Sequence, residues 1–279
     1  MQRSFDSLVD LLQGRRFALL TGAGLSTESG IPDYRGPETR RRSRSPIQYR
    51  QFLRSEAARR RYWSRSLVGY PRVRDARPND GHRAIADLQA RGHLAGLITQ
   101  NVDRLHRAAG SHGEIELHGA LADVRCLDCG IVTRRDDLQS RLLELNPGRS
   151  ETDAPLAPDG DADVDDSGGF VVPTCECGGA FKPDVVFFGE SVPRDRVERS
   201  YAIVESADAL VVAGSSLAVF SGYRFVRRAE ERGIPVAIVN LGETRGDPHA
   251  TVKVAQSTGE VLPALAHRLA APSQTAGYR

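Results

Sequence analysis

Two glycines one residue apart, Gly22 and Gly24, follow the short apolar run from Phe17 to Leu20. Such a run is too short for a helix and reads as a buried strand. A Gly22-Ala23-Gly24 turn at its end lets backbone amides face a diphosphate at a helix N-terminus, so the chemistry implied is nucleotide binding. The usual dinucleotide fingerprint wants a third glycine three residues after the second, where this chain has Thr27. It also wants an acidic residue about 20 positions on for the ribose hydroxyls, where the chain has Arg40, Arg41, Arg42, Ser43 and Arg44. An ordinary dehydrogenase is therefore disfavoured. A second chemistry lies in the four cysteines, paired as Cys126-x-x-Cys129 and Cys175-x-Cys177. In a cytosolic chain, paired cysteines bind metal more often than they form disulfides. Four thiolates would close a tetrahedral zinc site and leave no position open for catalysis. The second pair is CxC rather than the commoner CxxC, and 45 residues separate Cys129 from Cys175. Two reduced thiol pairs without metal is the alternative.

The continuation Gly30-Ile31-Pro32-Asp33-Tyr34-Arg35-Gly36 sharpens the first signal. Together with Gly22 to Ser26 it resembles the sirtuins, the NAD-dependent protein-lysine deacylases, which carry GAGxSxxxGIPDxR at this place. Three more blocks match in the same order: Gln100-Asn101-Val102-Asp103 with Leu105-His106, then Leu117-His118-Gly119, then Gly214-Ser215-Ser216. The resemblance spans nearly the whole chain. Arg61-Tyr62-Trp63, the stretch from Lys182 to Glu190, and Ser221-Gly-Tyr-Arg-Phe225 look like class II, whose animal member is mitochondrial.

The resemblance implies NAD as a consumed cosubstrate, one structural zinc, and acylated-lysine proteins as substrates. In that mechanism the acyl carbonyl oxygen attacks the nicotinamide ribose at C1′, nicotinamide leaves and an alkylimidate forms. His118, one of seven histidines and not distinguished by sequence alone, would be the base that activates a ribose hydroxyl. Imidazole titrates near neutrality and suits that work. The 2′-oxygen then attacks the imidate, and water completes release of lysine and 2′-O-acyl-ADP-ribose. By the same resemblance Asn101 and Asp103 serve the nicotinamide and ribose side, with Gln100 on the ribose and Val102 beside them. Ile31, Pro32 and Asp33 lie against the carboxamide, Tyr34 is a further cofactor contact, Arg35 neutralises phosphate or orders the loop, and Ser26 bonds phosphate or ribose. Gly214, Ser215, Ser216, Asn240, Leu241 and Gly242 hold phosphate and adenosine ribose, with the Thr258 backbone near adenine. Val186, Phe187, Phe188, Gly189 and Glu190 bind the acyl peptide as an added strand. The Tyr-x-x-Arg pair that goes with malonyl and succinyl preference in class III has no counterpart just after Gly36, so neutral acyl chains are expected. Mono-ADP-ribosyl transfer, lipoamidase activity and a non-catalytic NAD sensor are the other readings.

These residues need elements to hold them. Residues 4–13 pattern as an amphipathic helix, and Asn79 caps a helix reaching Arg91. Strands are expected at Leu94 to Ile98, Ile115 to His118, Val185 to Phe188, Ala209 to Ala213 and Val236 to Val239. Helices are expected at Val197 to Ser206, Phe225 to Arg232 and Val261 to Leu269. The alternation implies an α/β fold: a Rossmann-like parallel sheet with helices on both faces, with a small zinc-binding and a helical subdomain inserted. On that reading 1–279 is one catalytic domain. Segments 1–36, 77–123 and 182–279 form the NAD-binding lobe, 37–76 the helical subdomain with its cofactor-binding loop, and 124–181 the zinc-binding module. Tyr49, Phe52, Tyr62, Trp63 and Leu67 would be core. No stretch approaches 18 apolar residues and the N-terminus has no signal-like core, so a cytoplasmic protein without a membrane partner is expected. Fourteen arginines lie between Arg35 and Arg77 against Glu38, Glu56 and Asp75. They read as a solvated helical face, and nucleic acid is not expected as a partner. Seven acidic residues between Glu151 and Asp166 read as a mobile loop.

Overall fold

The structure is a computed structural model that describes residues 2–33, 46–150, 154, 155, 157, 160–162 and 168–270. Helix α1 (Gln2–Leu12) leads into β1 (Phe17–Thr21). Helices α2 (Tyr49–Arg54) and α3 (Glu56–Asp75) precede α4 (Asp80–Ala90), β2 (Leu94–Thr99), α5 (Leu105–Ala108) and β3 (Ile115–Glu116). The chain then makes β4 (Gly119–Cys126), β5 (Val132–Arg134), α6 (Arg135–Leu145) and β6 (Phe181–Val185). It finishes with α7 (Arg194–Glu205), β7 (Ala209–Ala213), α8 (Phe220–Glu231), β8 (Val236–Val239), β9 (Val252–Val254) and α9 (Thr258–Ala270).

Six strands form one sheet in the order β3-β2-β1-β7-β8-β9, parallel throughout. Counted within the sheet this is 3-2-1-4-5-6, the order of doubly wound dinucleotide-binding folds. All five residues of β1 are buried, as a strand covered on both faces must be. Phe17 and Leu19 pack with Leu8, Leu12, Ile85, Leu88 and Leu265 on one side. Ala18 and Leu20 pack with Val204, Phe225 and Val226 on the other. A second, antiparallel sheet, β5-β4-β6, stands apart from it. Its core joins Leu121, Val124 and Phe181 to Phe52, Tyr62, Trp63 and Leu67, so those aromatics are core as expected. Among the described residues no helix is long and apolar enough to cross a membrane.

Some elements differ from the sequence reading. Among the described residues no α-helix starts directly at the glycine turn; two 3-10 turns, Ala23–Leu25 and Thr27–Ser29, take its place and end at Gly30 in the left-handed region, φ 84°. The crossover helix α4 comes only after the inserted α2 and α3, with Asn79 capping it as expected by accepting from the His82 amide at 3.2 Å. The strand expected at Val185 to Phe188 is β6, four residues earlier and in the antiparallel sheet. There it is an edge strand, where Pro183 is tolerated. Helix α8 begins at Phe220, five residues before the expected start. Gly222 in its first turn argues against helix on propensity, yet a Cβ there would lie 2.5 Å from Gln100 Oε1, so the glycine serves packing. Within the acidic run, Asp161 and Ala162 are buried. The Ala162 amide donates to the Arg65 carbonyl at 3.1 Å and Arg72 Nη1 donates to the Ala154 carbonyl at 2.6 Å. These residues dock on α3 rather than standing free as a loop.

Candidate active site

In an open parallel sheet, ligands sit beyond the carboxyl ends of the strands where the strand order reverses. Here that point lies between β1 and β7, with Gly22-Ala23-Gly24 leaving one strand and Gly214-Ser215-Ser216 leaving the other. The two loops touch. A Cβ on Gly22 would lie 2.7 Å from Ser215 Cβ, one on Gly24 3.0 Å from Gly214 Cα, and one on Gly214 2.5 Å from the Leu25 nitrogen. The glycine spacing thus serves loop-to-loop approach first. The expectation that its amides face a diphosphate needs correction. The amides of Gly22, Gly24, Leu25 and Ser26 donate to the carbonyls of Ala213, Gly214, Gly22 and Ala23. Among the described residues of this turn, only the Ala23 amide is left for a ligand.

From the end of β2 the polar run Gln100 to Asp103 turns across the same crevice. Gln100 Nε2 donates to Ser215 Oγ at 2.8 Å, and Asn101 Nδ2 to the Gly22 carbonyl and Ser26 Oγ, both at 3.1 Å. Ser26 Oγ donates in turn to Asp103 Oδ2 at 2.7 Å, and the Leu105 amide to Asp103 Oδ1 at 2.9 Å. Burial raises the Asp103 pKa, and these two donors oppose it.

His118 follows β3. Its Nδ1 lies 3.0 Å from the Gln100 carbonyl and its Nε2 2.8 Å from Ser221 Oγ. A carbonyl can only accept, so Nδ1 carries the proton and Nε2 presents its lone pair. Burial pushes the pKa down to about 4, the Gln100 carbonyl opposing this and the Arg196 and Arg224 cations adding to it. The imidazole is a neutral base at ordinary pH.

Beyond His118 the chain continues into β4, and β6 delivers the segment Val186 to Glu190 to the same cleft. The Val186 amide donates to the His118 carbonyl at 2.8 Å, and the Tyr49 amide to the Phe188 carbonyl at 2.9 Å. Phe187 packs edge-on to Phe52, ring centroids 5.1 Å apart, while Phe188 and Gly189 are exposed. Buried Lys182 pins this segment. Its Nζ donates to the Val185 carbonyl at 2.5 Å and pairs with Glu190 at 3.1 Å, and Glu190 accepts from the Phe187 amide at 2.8 Å. On the opposite rim lie Asn240, Leu241 and Gly242 after β8, and Thr258 at the start of α9.

One cleft of about 2510 Å³ is lined by every expected site residue among those described, the cysteines excepted: Ile31, Pro32, Asp33 and Val102 join those above. Tyr34 and Arg35 lie outside the described residues. The cleft also brings in residues that sequence reading left out, notably Gln48, Arg65, Ser221, Arg224 and Arg245. Tyr62 and Arg65, one turn apart on α3, both line it. They have the Tyr-x-x-Arg spacing, well beyond the stretch just after Gly36 where no such pair occurs.

The four cysteine sulfurs lie within 4.8 Å of one another at the far end of β4. Cys126 and Cys177 Sγ are 3.5 Å apart and Cys129 and Cys175 Sγ 3.8 Å, whereas a disulfide requires about 2.05 Å. Tetrahedral zinc with Zn–S near 2.3 Å needs sulfur separations of about 3.8 Å, so the set fits a closed structural zinc. The short CxC loop is feasible because the Gly178 amide closes a turn on the Cys175 carbonyl at 2.8 Å, with Gly178 in the left-handed region at φ 86°.

Beneath the β1 turn sit two buried histidines, His82 and His106, ring centroids 5.1 Å apart. His106 Nε2 meets Thr21 Oγ1 at 2.8 Å. Burial, with Arg83 adding, lowers the His82 pKa from 6.5 to about 4, and burial with His82 adding lowers that of His106 to about 3. The unfolded chain therefore binds more protons below pH 6.5, and stability falls as pH drops from there towards the folded values. Each histidine contributes up to about 1.4 kcal/mol per pH unit in that window. Urea midpoints should fall steadily on acidification below about pH 6.5; a midpoint flat from about pH 7 to about pH 5 would contradict this.

A profile of the Sir2 family matches residues 22–221. The chain is 53% identical over 268 residues to NAD-dependent protein deacetylase 1 of Mycobacterium avium (strain 104), covering 94% of both. It is 52% identical over 251 residues to NAD-dependent protein deacetylase of Xanthomonas axonopodis pv. citri, covering 89% of this chain and 86% of that one. A solved Sir2-p53 peptide-NAD+ structure superposes with a TM-score of 0.76 at 31% identity, over 94% of this chain and 97% of the other. A Sir2 bound to acetylated peptide does so with a TM-score of 0.74 at 30% identity, over 94% and 97%.

Proposed function

The chain belongs to the Sir2 family, and on that premise we propose that it is an NAD-dependent protein-lysine deacetylase, transferring the acyl group to ADP-ribose with release of nicotinamide. The observation that carries this reading is the convergence of a neutral imidazole, its Nε2 lone pair free of any proton, with a dinucleotide crevice and a peptide-like edge in one cleft. A pocket for one small ligand measures about 300–1,000 Å³; a cleft of about 2510 Å³ holds two reactants side by side. NAD supplies an electrophilic ribose carbon with nicotinamide as leaving group. The turns at Gly22 to Ser26 and Gly214 to Ser216, with the rim at Asn240 to Gly242 and Thr258, would hold its diphosphate and adenosine. Ile31, Pro32, Asp33, Asn101 and Asp103 would hold the nicotinamide side, with Gln100 and Val102 beside them. His118 takes a proton from a ribose hydroxyl. Val186 to Glu190 would receive the acyl-lysine peptide along exposed backbone, with Val186 and Phe187 walling the acyl chain. The four cysteines hold zinc at a distance from the chemistry. The four thiols are unpaired by disulfide, which fits work in the reducing cytoplasm.

The Tyr62 and Arg65 pair favours a second reading of the acyl chain: a carboxyl-bearing acyl group whose terminus meets a phenol and a guanidinium. Nicotinamide release from NAD, measured with acetyl-, long-chain, lipoyl- and succinyl-lysine peptides, tests both. Release is expected only with an acyl peptide, and the ranking names the acyl class. Release without any peptide would replace the proposal with ADP-ribosyl transfer or NAD hydrolysis, and no release at all with an NAD sensor.

A further inference from the structure

Helix α8 brings its first turn directly against the base. Gly222 lacks the Cβ that would strike Gln100 Oε1 at 2.5 Å, and the neighbouring Ser221 reaches His118 Nε2 at 2.8 Å. Because Nδ1 donates to the Gln100 carbonyl, the Ser221 hydroxyl must donate to Nε2, and among the described residues it makes no other hydrogen bond. Ser221 also lines the cleft, and a hydroxyl that donates to Nε2 keeps lone pairs with which to accept. In the free protein the lone pair that a base would use is therefore already engaged by a hydroxyl that can pass a proton on.

We propose that Ser221 is a proton relay between the ribose hydroxyl and His118. This rests on the deacetylase reading above. As the ribose oxygen bonds the acyl carbon, its proton moves to Ser221 Oγ while the Ser221 proton moves to Nε2. Ser221 ends as it began, and His118 becomes imidazolium, to be discharged as lysine leaves. The relay acts after nicotinamide has gone, so it has no part in nicotinamide exchange.

The test is Ser221→Ala beside Ser221→Thr. Complete general acid–base assistance is worth about 10²–10⁴-fold; losing only the relay, with water able to reach the base, is expected to lower kcat about 10- to 100-fold. Substrate KM values stay within about twofold because uniform binding is untouched. Nicotinamide exchange persists in Ser221→Ala, and Ser221→Thr, which keeps the hydroxyl, recovers most of the deacylation rate. In the free protein, imidazole nitrogen NMR shifts should show Nε2 accepting a hydrogen bond with Ser221 and not in Ser221→Ala. Wild-type turnover in Ser221→Ala overturns the relay. So do equal slowing in Ser221→Thr, exchange falling in parallel with deacylation, and an Nε2 shift indifferent to the substitution. Failure of wild-type protein to release nicotinamide with acyl peptide would instead strike the deacetylase reading.

Discussion

His118→Ala is expected to lower deacylation by about 10²–10⁴-fold, the range for loss of a positioned general base, while NAD binding persists. The separation follows from what the imidazole touches. Its two nitrogens meet the Gln100 carbonyl and Ser221 Oγ. The loops at the strand-order reversal are held by other bonds, from Gln100 Nε2 to Ser215 Oγ and from Asn101 Nδ2 to the Gly22 carbonyl. Truncating the ring leaves those bonds in place and opens space continuous with the cleft, which water can fill. Neither partner is stranded, since the Gln100 carbonyl and the Ser221 hydroxyl can both bond that water. The fold should therefore lose little, and the loss should fall on kcat rather than on the KM for NAD. Steady-state deacylation together with NAD titration of the same variant decides it. A deacylation rate within about threefold of wild type would remove His118 from the role of base, and loss of NAD affinity would recast it as a binding residue.

What could be read from the chain before its fold was known, and what could not, divides along local and non-local lines. Apolar runs ending in small or polar residues marked β1, β2, β7 and β8 and the loops beyond them, because a doubly buried strand must be continuously apolar. That was enough to place Gly22 to Ser26, Gln100 to Asp103, Gly214 to Ser216 and Asn240 to Gly242 on one edge of one sheet. The reason for the glycines was not legible. A helix-dipole reading assigns them to phosphate, whereas the crowding of Gly22 against Ser215 and of Gly24 against Gly214 depends on a neighbour nearly two hundred residues away. The run Val185 to Phe188 carries no periodicity that distinguishes a parallel-sheet strand from the edge of an antiparallel one. Its true place follows from Phe181 and Lys182 pairing with Cys126 and Arg125. Ser221 stood out only as the first residue of the block Ser221 to Phe225, with no role attached, and only the fold carries it to His118. Tyr62 and Arg65 were hidden by their own helix: the one-turn spacing that puts both on the cleft also lets Tyr62 pack in the core beside Phe52 and Trp63.

Cys126→Ser is expected to release zinc and to lower the melting temperature by roughly 10 °C, as loss of several kcal/mol would do in a domain of this size. The four ligands join the turn after β4 to the segment before β6, so the metal closes the small sheet at its open end. Structural zinc contributes folding energy outright, and three remaining thiolates bind it poorly. The effect on catalysis should be indirect. His118 immediately precedes β4 and Cys126 ends it, and the two ends of β4 pair with Val185 and Phe181, four residues apart on β6, which at about 3.3 Å per residue puts the zinc end of the strand roughly 13 Å from the end next to the base. Yet β6 hangs from β4 at both ends, Phe181 opposite Cys126 and Val185 opposite Gly119 across a register shift between Gly119 and Val124, and β6 delivers Val186 to Glu190. Loosening the zinc end should therefore raise the KM for acyl peptide more than it lowers kcat, at temperatures where the variant stays folded. Metal analysis, thermal unfolding and peptide titration of the two proteins check the three parts. Wild-type protein without zinc would leave two reduced thiol pairs as the account of the cysteines. An unchanged melting temperature in a zinc-free variant would show that packing around Leu121, Val124 and Phe181 holds the sheet without the metal.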